Sequence, residues 1–181
     1  MKNLRLKQLI FMALCCDLGL FTKRLISPVA NIITDSLHIP GGVATAFSLM
    51  FLVIAAALIP RFGCATLMGA VQSGIALAMG MVGSMGALAP IGYIMPGVAI
   101  DCVLAVSRKL RLPLELQLVI ANALAGMTAS LTANVIVFRL HGLVLLVYLS
   151  VATTCGAICG LLAGWATTRL KPVVGKENNK K

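Results

Sequence analysis

The chain alternates long apolar runs with short breaks that carry most of its charges, glycines and prolines. A helix needs about 20 mostly apolar residues to cross the hydrocarbon core of a bilayer, and the alternation predicts six such helices. The first follows the basic start MKNLRLK, occupies Leu9 to Phe21 and ends near Lys23-Arg24. A basic start before a short apolar run also suits a signal peptide, but Asp17 interrupts the run and no A-x-A site follows, which favours a retained helix. Residues 25–42, LISPVANIITDSLHIPGG, contain Pro28, Asp35, His38 and Pro40-Gly41-Gly42, which break a continuous span. They predict a long connection with a short helix at Val29 to Leu37, and connections of this length are commonly functional lids.

The second helix is expected over Val43 to Pro60 and the third over Cys64 to about Val82, with a tight turn at Arg61-Phe62-Gly63 between them. Gly83 to Gly86 turns the chain into a fourth helix, Ala87 to Val106. A basic loop, Arg108 to Pro113, leads to the fifth, Leu114 to Phe138. Arg139 to Gly142 turns it into the sixth, Leu143 to Thr168, and the end RLKPVVGKENNKK reads as a soluble, disordered tail. The expected fold class is an all-α membrane protein, a compact bundle of six transmembrane helices with both termini cytoplasmic. Its domains are one integral membrane unit over 1–171, with 25–42 as an outer lid, and a basic cytoplasmic tail over 172–181.

Composition agrees. The chain is 60% hydrophobic and 11% charged over 181 residues, with a mean hydropathy of +1.01, more apolar than a soluble domain of this length. A net charge of +10 would suit nucleic acid if it formed a surface patch, but the basic residues lie between and beyond the apolar runs, as topology signals do. With cytoplasmic termini, twelve Lys and Arg fall on inner segments and only Lys23, Arg24 and Arg139 on outer ones. That bias sets the orientation, and no nucleic-acid partner is expected. The six cysteines lie inside or at the edges of apolar runs, without C-x2-C spacing, and read as small packing residues.

Helices in lipid associate through small residues. The sixth helix offers Ala152, Gly156, Gly160 and Gly164 as one ridge, the third Ala70, Gly74 and Ala78, and the fifth Asn122, Gly126, Ser130 and Asn134.

Chemistry centres on the fourth helix. A carboxylate near the middle of a membrane helix costs about 2.5–3.5 kcal/mol on insertion scales, so Asp101 should face a cavity or a partner. Tyr93, Gly97 and Asp101 share one face at four-residue spacing. Catalysis has little support: His38 and His141 both lie in outer connections, H-E-x-x-H spacing is absent, and no nucleotide-binding G-x-x-x-x-G-K-[ST] loop exists. Neither a metal site nor a cofactor is expected. A small-molecule pocket needs a few polar groups in an apolar cleft, and the candidates are Asp101, Tyr93, Gln72, Asn134 and Tyr148, with Asn31, Asp35 and His38 from the lid. Each has a plainer role available. Asn134 could bond between helices, the tyrosines could sit in the interfacial belt, and Asp101 could pair with a cation or cap a helix.

Taken together, the opening KQLIFMALCCDLGL, the long outer connection after the first helix, and a PG-containing fourth helix followed by a basic loop resemble the substrate-binding (S) component of an energy-coupling factor transporter. The resemblance implies a bacterial plasma-membrane subunit that captures a vitamin-class nutrient on its outer side under the first long loop. It also implies a transmembrane coupling (T) protein and two cytoplasmic ATPase subunits as partners, so that this chain is not itself an enzyme. The family often carries an Ala-x-x-x-Ala spacing on the first helix toward the coupling protein. Here Ala13 is followed by Asp17, and Cys15 with Gly19 supplies a small-residue alternative, so the implied interface is Ala13, Cys15 and Gly19. Two other readings stand beside it: a stand-alone secondary transporter of a small solute, against which the shortage of intramembrane charge argues, and a membrane scaffold without a ligand.

Overall fold

The computed structural model describes residues 6–37, 43–59, 61–80, 86, 88–137, 139 and 142–175. Among the described residues the regular secondary structure is all helical, with six α-helices: α1 (Leu6–Leu37), α2 (Val43–Leu58), α3 (Cys64–Ala78), α4 (Ala89–Lys109), α5 (Leu114–Thr132) and α6 (Leu143–Gly175). A π-helical turn, Ala133–Val137, extends α5. Three stretches, Ala89–Lys109, Leu114–Ile136 and Leu143–Leu170, are long and apolar enough to cross a membrane. This is a helical membrane protein.

The core sits around α2. That helix is apolar on all sides and at 16 residues is short, about 24 Å by helical rise. A helix apolar all round belongs in an interior, and α2 packs against each of the other five. Leu52, Val53 and Ala55 are fully inaccessible. Around it, α5 lies along α6, α3 along α4, and α4 along α5, while α1 leans on α2 and α3.

Close approach of backbones sets these contacts. A Cβ built on Gly160 would stand 2.6 Å from Val119 Cα, and one on Gly156 2.8 Å from Ala123 Cα, so the expected ridge on α6 is seated against α5. On the α3–α4 side, Gly69 lies against the Tyr93 carbonyl and Gly97 against the Ala65 carbonyl. The ridge expected on α3 is therefore misplaced. Ala70, Gly74 and Ala78 are exposed, and the packed face lies one to two positions earlier, through Ala65, Gly69, Gln72 and Ala76.

Two boundaries are corrected. The first helix does not stop at Arg24 but continues to Leu37 through Pro28, so most of the expected 25–42 connection is helix. A proline deprives the turn before it of one hydrogen bond, yet membrane helices tolerate this where neighbouring groups satisfy the freed carbonyl. Only residues 38–42 of that stretch lie outside the described residues. At the other end α6 runs through Pro172 to Gly175, into the expected tail, and 176–181 lie outside the described residues.

Candidate functional site

The turn before α3, Arg61-Phe62-Gly63, places Gly63 at the N-cap with φ +89°, so no side chain at that position can satisfy the first N–H groups of the helix. Asp101 of α4 does so instead. Its carboxylate accepts from the Ala65 N–H at 3.2 Å, the Thr66 N–H at 2.8 Å and the Thr66 hydroxyl at 2.7 Å. It is 4% exposed, so these bonds form with little competition from solvent. A carboxylate at a helix N-terminus also meets the positive end of the helix dipole. Asp101 is thus the cap of α3, the structural alternative foreseen for it, and it does not line the cavity described next. Two turns further along α4, Arg108 donates to the Ala56 carbonyl at 2.7 Å, near the end of α2.

A cavity lies further along the α3–α4 pair, lined by Lys23 of α1, Thr45, Ser48 and Leu49 of α2, Gln72 of α3, and Gly92, Tyr93 and Pro96 of α4. The hollow is open at its rim and has a volume of only about 20 Å³. That holds roughly one water. Gln72 is 2% exposed and donates from Nε2 to the Cys16 carbonyl at 3.1 Å, tying α3 to α1. Gly19 makes room for this bond, since a Cβ there would stand 2.8 Å from Gln72 Nε2. Across the cavity Lys23 Nζ donates to the Tyr93 hydroxyl at 3.3 Å and lies 4.5 Å from the centre of that ring. No Asp or Glu is among the described lining residues.

Of the residues expected at a pocket, Tyr93 and Gln72 meet here; the others do not. Asn134 is buried and spends its amide on its own helix, donating to the Ser130 carbonyl at 2.9 Å and hydroxyl at 3.1 Å. Tyr148 is half-buried on α6, away from the lining. Asn31 and Asp35 lie on the last turns of α1 rather than in a loop, and His38 and His141 lie outside the described residues. Within the expected docking triad only Ala13 is on the outer surface. Cys15 and Gly19 are buried against the rest of the chain, so in this conformation they are packing residues. Asp17 joins Ala13 on the exposed side.

The pattern alone missed Thr45 and Ser48 as lining residues. They are the two hydroxyl side chains of an otherwise apolar α2, which was a usable signal. Among the described residues no three His, Cys, Asp or Glu side chains come together as metal ligands would. Compared with models of known protein families, with characterised proteins and with solved structures, the chain has no significant match.

Proposed function

We propose that this chain is the substrate-capture subunit of an ATP-driven importer of the energy-coupling factor type, spanning the bacterial plasma membrane six times with both termini inside. It is not an enzyme in this reading. It takes a vitamin-class nutrient from the outer side, while a transmembrane coupling protein and two cytoplasmic ATPases supply the energy. The observation that carries the reading is the cavity between α1 and α4, where Lys23, Thr45, Ser48, Gln72 and Tyr93 converge inside an apolar bundle. Such a combination of apolar walls and a few directed polar groups is what small-molecule sites share.

The cavity as it stands has room for about one water, so uptake of a nutrient requires one wall to move. The outer half of α1 is the wall we assign to that movement: α1 as a whole packs on α2 and α3, and the link from Lys23 to Tyr93 joins it to α4 across the cavity. In this scheme the lid is the end of a helix rather than a loop. Purification in a mild detergent followed by mass spectrometry of the co-purifying small molecules tests the proposal. Recovery of one stoichiometric nutrient that raises the unfolding temperature when added back supports it; a protein that carries nothing and is stabilised by no vitamin-class compound counts against it.

The small volume of the cavity favours a second reading, a membrane scaffold without a ligand. There the polar groups of the cleft only join helices, and the same experiment returns nothing.

A further inference from the structure

The side chain of Lys23 is not placed as a topology signal would be. A lysine at the edge of a membrane helix ordinarily runs its stem along the apolar surface and leaves its ammonium among lipid headgroups. Lys23 instead turns inward from α1, lies over the Tyr93 ring and lines the cavity. Tyr93 gives the ammonium one acceptor and the negative face of a ring, which orient it without neutralising it. An ammonium has three N–H donors, so two remain for another acceptor. The remaining polar lining among the described residues, Thr45, Ser48 and the Gln72 amide, is uncharged, and the buried carboxylate of α4, Asp101, lies off the lining and is committed to the first turn of α3. Among the described residues the formal charge of the lining is therefore +1, in a setting where an uncompensated charge is costly.

We infer that the ligand of this cavity is an organic anion whose carboxylate or equivalent acidic group pairs with Lys23. The inference rests on the capture reading above and narrows it: amines and quaternary ammonium compounds are excluded as cargo, and neutral amides bind poorly. Tyr93 acts as a positioning residue that holds the ammonium over the cavity.

The test uses the full chain purified in dodecyl maltoside and matched probes that differ only in charge: benzoate, benzamide and benzylamine, then nicotinate, nicotinamide and 3-picolylamine. Thermal unfolding is followed at millimolar probe for wild type, Lys23→Gln, Lys23→Arg and Tyr93→Phe. The expected result is stabilisation of wild type by at least one acid and by neither its amide nor its amine. Apparent affinity should fall about tenfold or more in Lys23→Gln and be largely kept in Lys23→Arg, with Tyr93→Phe between them. Stabilisation by amides or amines instead of acids overturns the anion assignment while leaving the capture reading intact, as does equal stabilisation of wild type and Lys23→Gln by an acid. Stabilisation by added phosphatidylglycerol but by no soluble acid makes Lys23 a headgroup contact and also overturns it. No response to any probe removes the assignment and counts against the capture reading as well.

Discussion

Asp101 and Thr66 face each other across the α3–α4 contact with two hydrogen bonds, from the Thr66 N–H at 2.8 Å and from its hydroxyl at 2.7 Å, both to Oδ2. The carboxylate that looks most like a ligand-binding group is thereby engaged in starting a neighbouring helix.

Replacing Asp101 should therefore act on folding before it acts on any ligand. Asp101→Ala leaves the Ala65 and Thr66 N–H groups without their acceptor in a buried place. The loss of buried bonds to a charged group is worth about 1.5–3 kcal/mol, and the unfolding temperature should fall accordingly. Asp101→Asn keeps one acceptor oxygen and should lose less. Thr66→Val, which removes only the hydroxyl, should cost about 1 kcal/mol. Thermal unfolding of the three variants checks the order; an Asp101→Ala protein as stable as wild type contradicts the capping role.

The two glycines at the C-terminal half of the α6 ridge should respond in opposite ways. A methyl group on Gly160 would meet Val119 Cα at 2.6 Å and the Leu118 carbonyl at 3.0 Å, backbone atoms that cannot swing aside. Gly160→Ala must push α5 from α6, at about 1–3 kcal/mol for overpacking. On Gly164 the nearest atoms stand at 3.5 Å, ordinary contact. Gly164→Ala should be neutral or gain up to about 1 kcal/mol from helix propensity. Equal effects at both positions would mean that α5 and α6 are not packed in this register.

These examples show what a linear reading can and cannot reach. Helix identity and the α6 ridge were legible because both are periodic within one segment: apolar length marks the span, and Gly156 and Gly160 at four-residue spacing mark the seam. The α3 ridge failed because two small-residue rows lie side by side on that helix, and nothing local says which one meets α4. Asp101 could be flagged as needing partners, but its partner is the start of a helix more than thirty residues earlier, whose lack of a capping side chain becomes visible only when Gly63 is seen at the cap. Asn134 looked free to reach a ligand, whereas its own π-helical turn brings the Ser130 carbonyl within reach. The cavity draws on four helices, and no spacing within one of them foretells it.

Asn122 offers a test of how polar groups settle in this interior. Its Nδ2 donates to the Gly156 carbonyl at 2.8 Å, while its buried Oδ1 has no partner among the described residues. A side-chain bond between membrane helices averages about 0.6 kcal/mol, and removing an unsatisfied buried oxygen returns a gain of similar or larger size. Asn122→Ala leaves a small void between α2, α5 and α6, so the net change should stay within about 1 kcal/mol of wild type. A large loss of stability would mean that Oδ1 is satisfied by a bound water in the membrane.

The continuity of α1 decides what kind of lid the protein can have. If residues 25–37 are helical, their amides should exchange with solvent deuterium as slowly as those of the preceding turns, and protection should run through Pro28 without a gap beyond the proline itself. A loop over the same residues would exchange within seconds. Substitution gives an independent check. Pro28 withholds an N–H from the carbonyl one turn earlier, and an interior proline costs a helix about 3 kcal/mol relative to alanine. Part of that is offset by the stiffness proline lends the unfolded chain, about 0.4–1 kcal/mol. Pro28→Ala should thus raise the unfolding temperature and deepen protection over 25–37. No change in protection on that substitution, with rapid exchange in both proteins, would return the segment to a loop and the moving wall of the cavity with it.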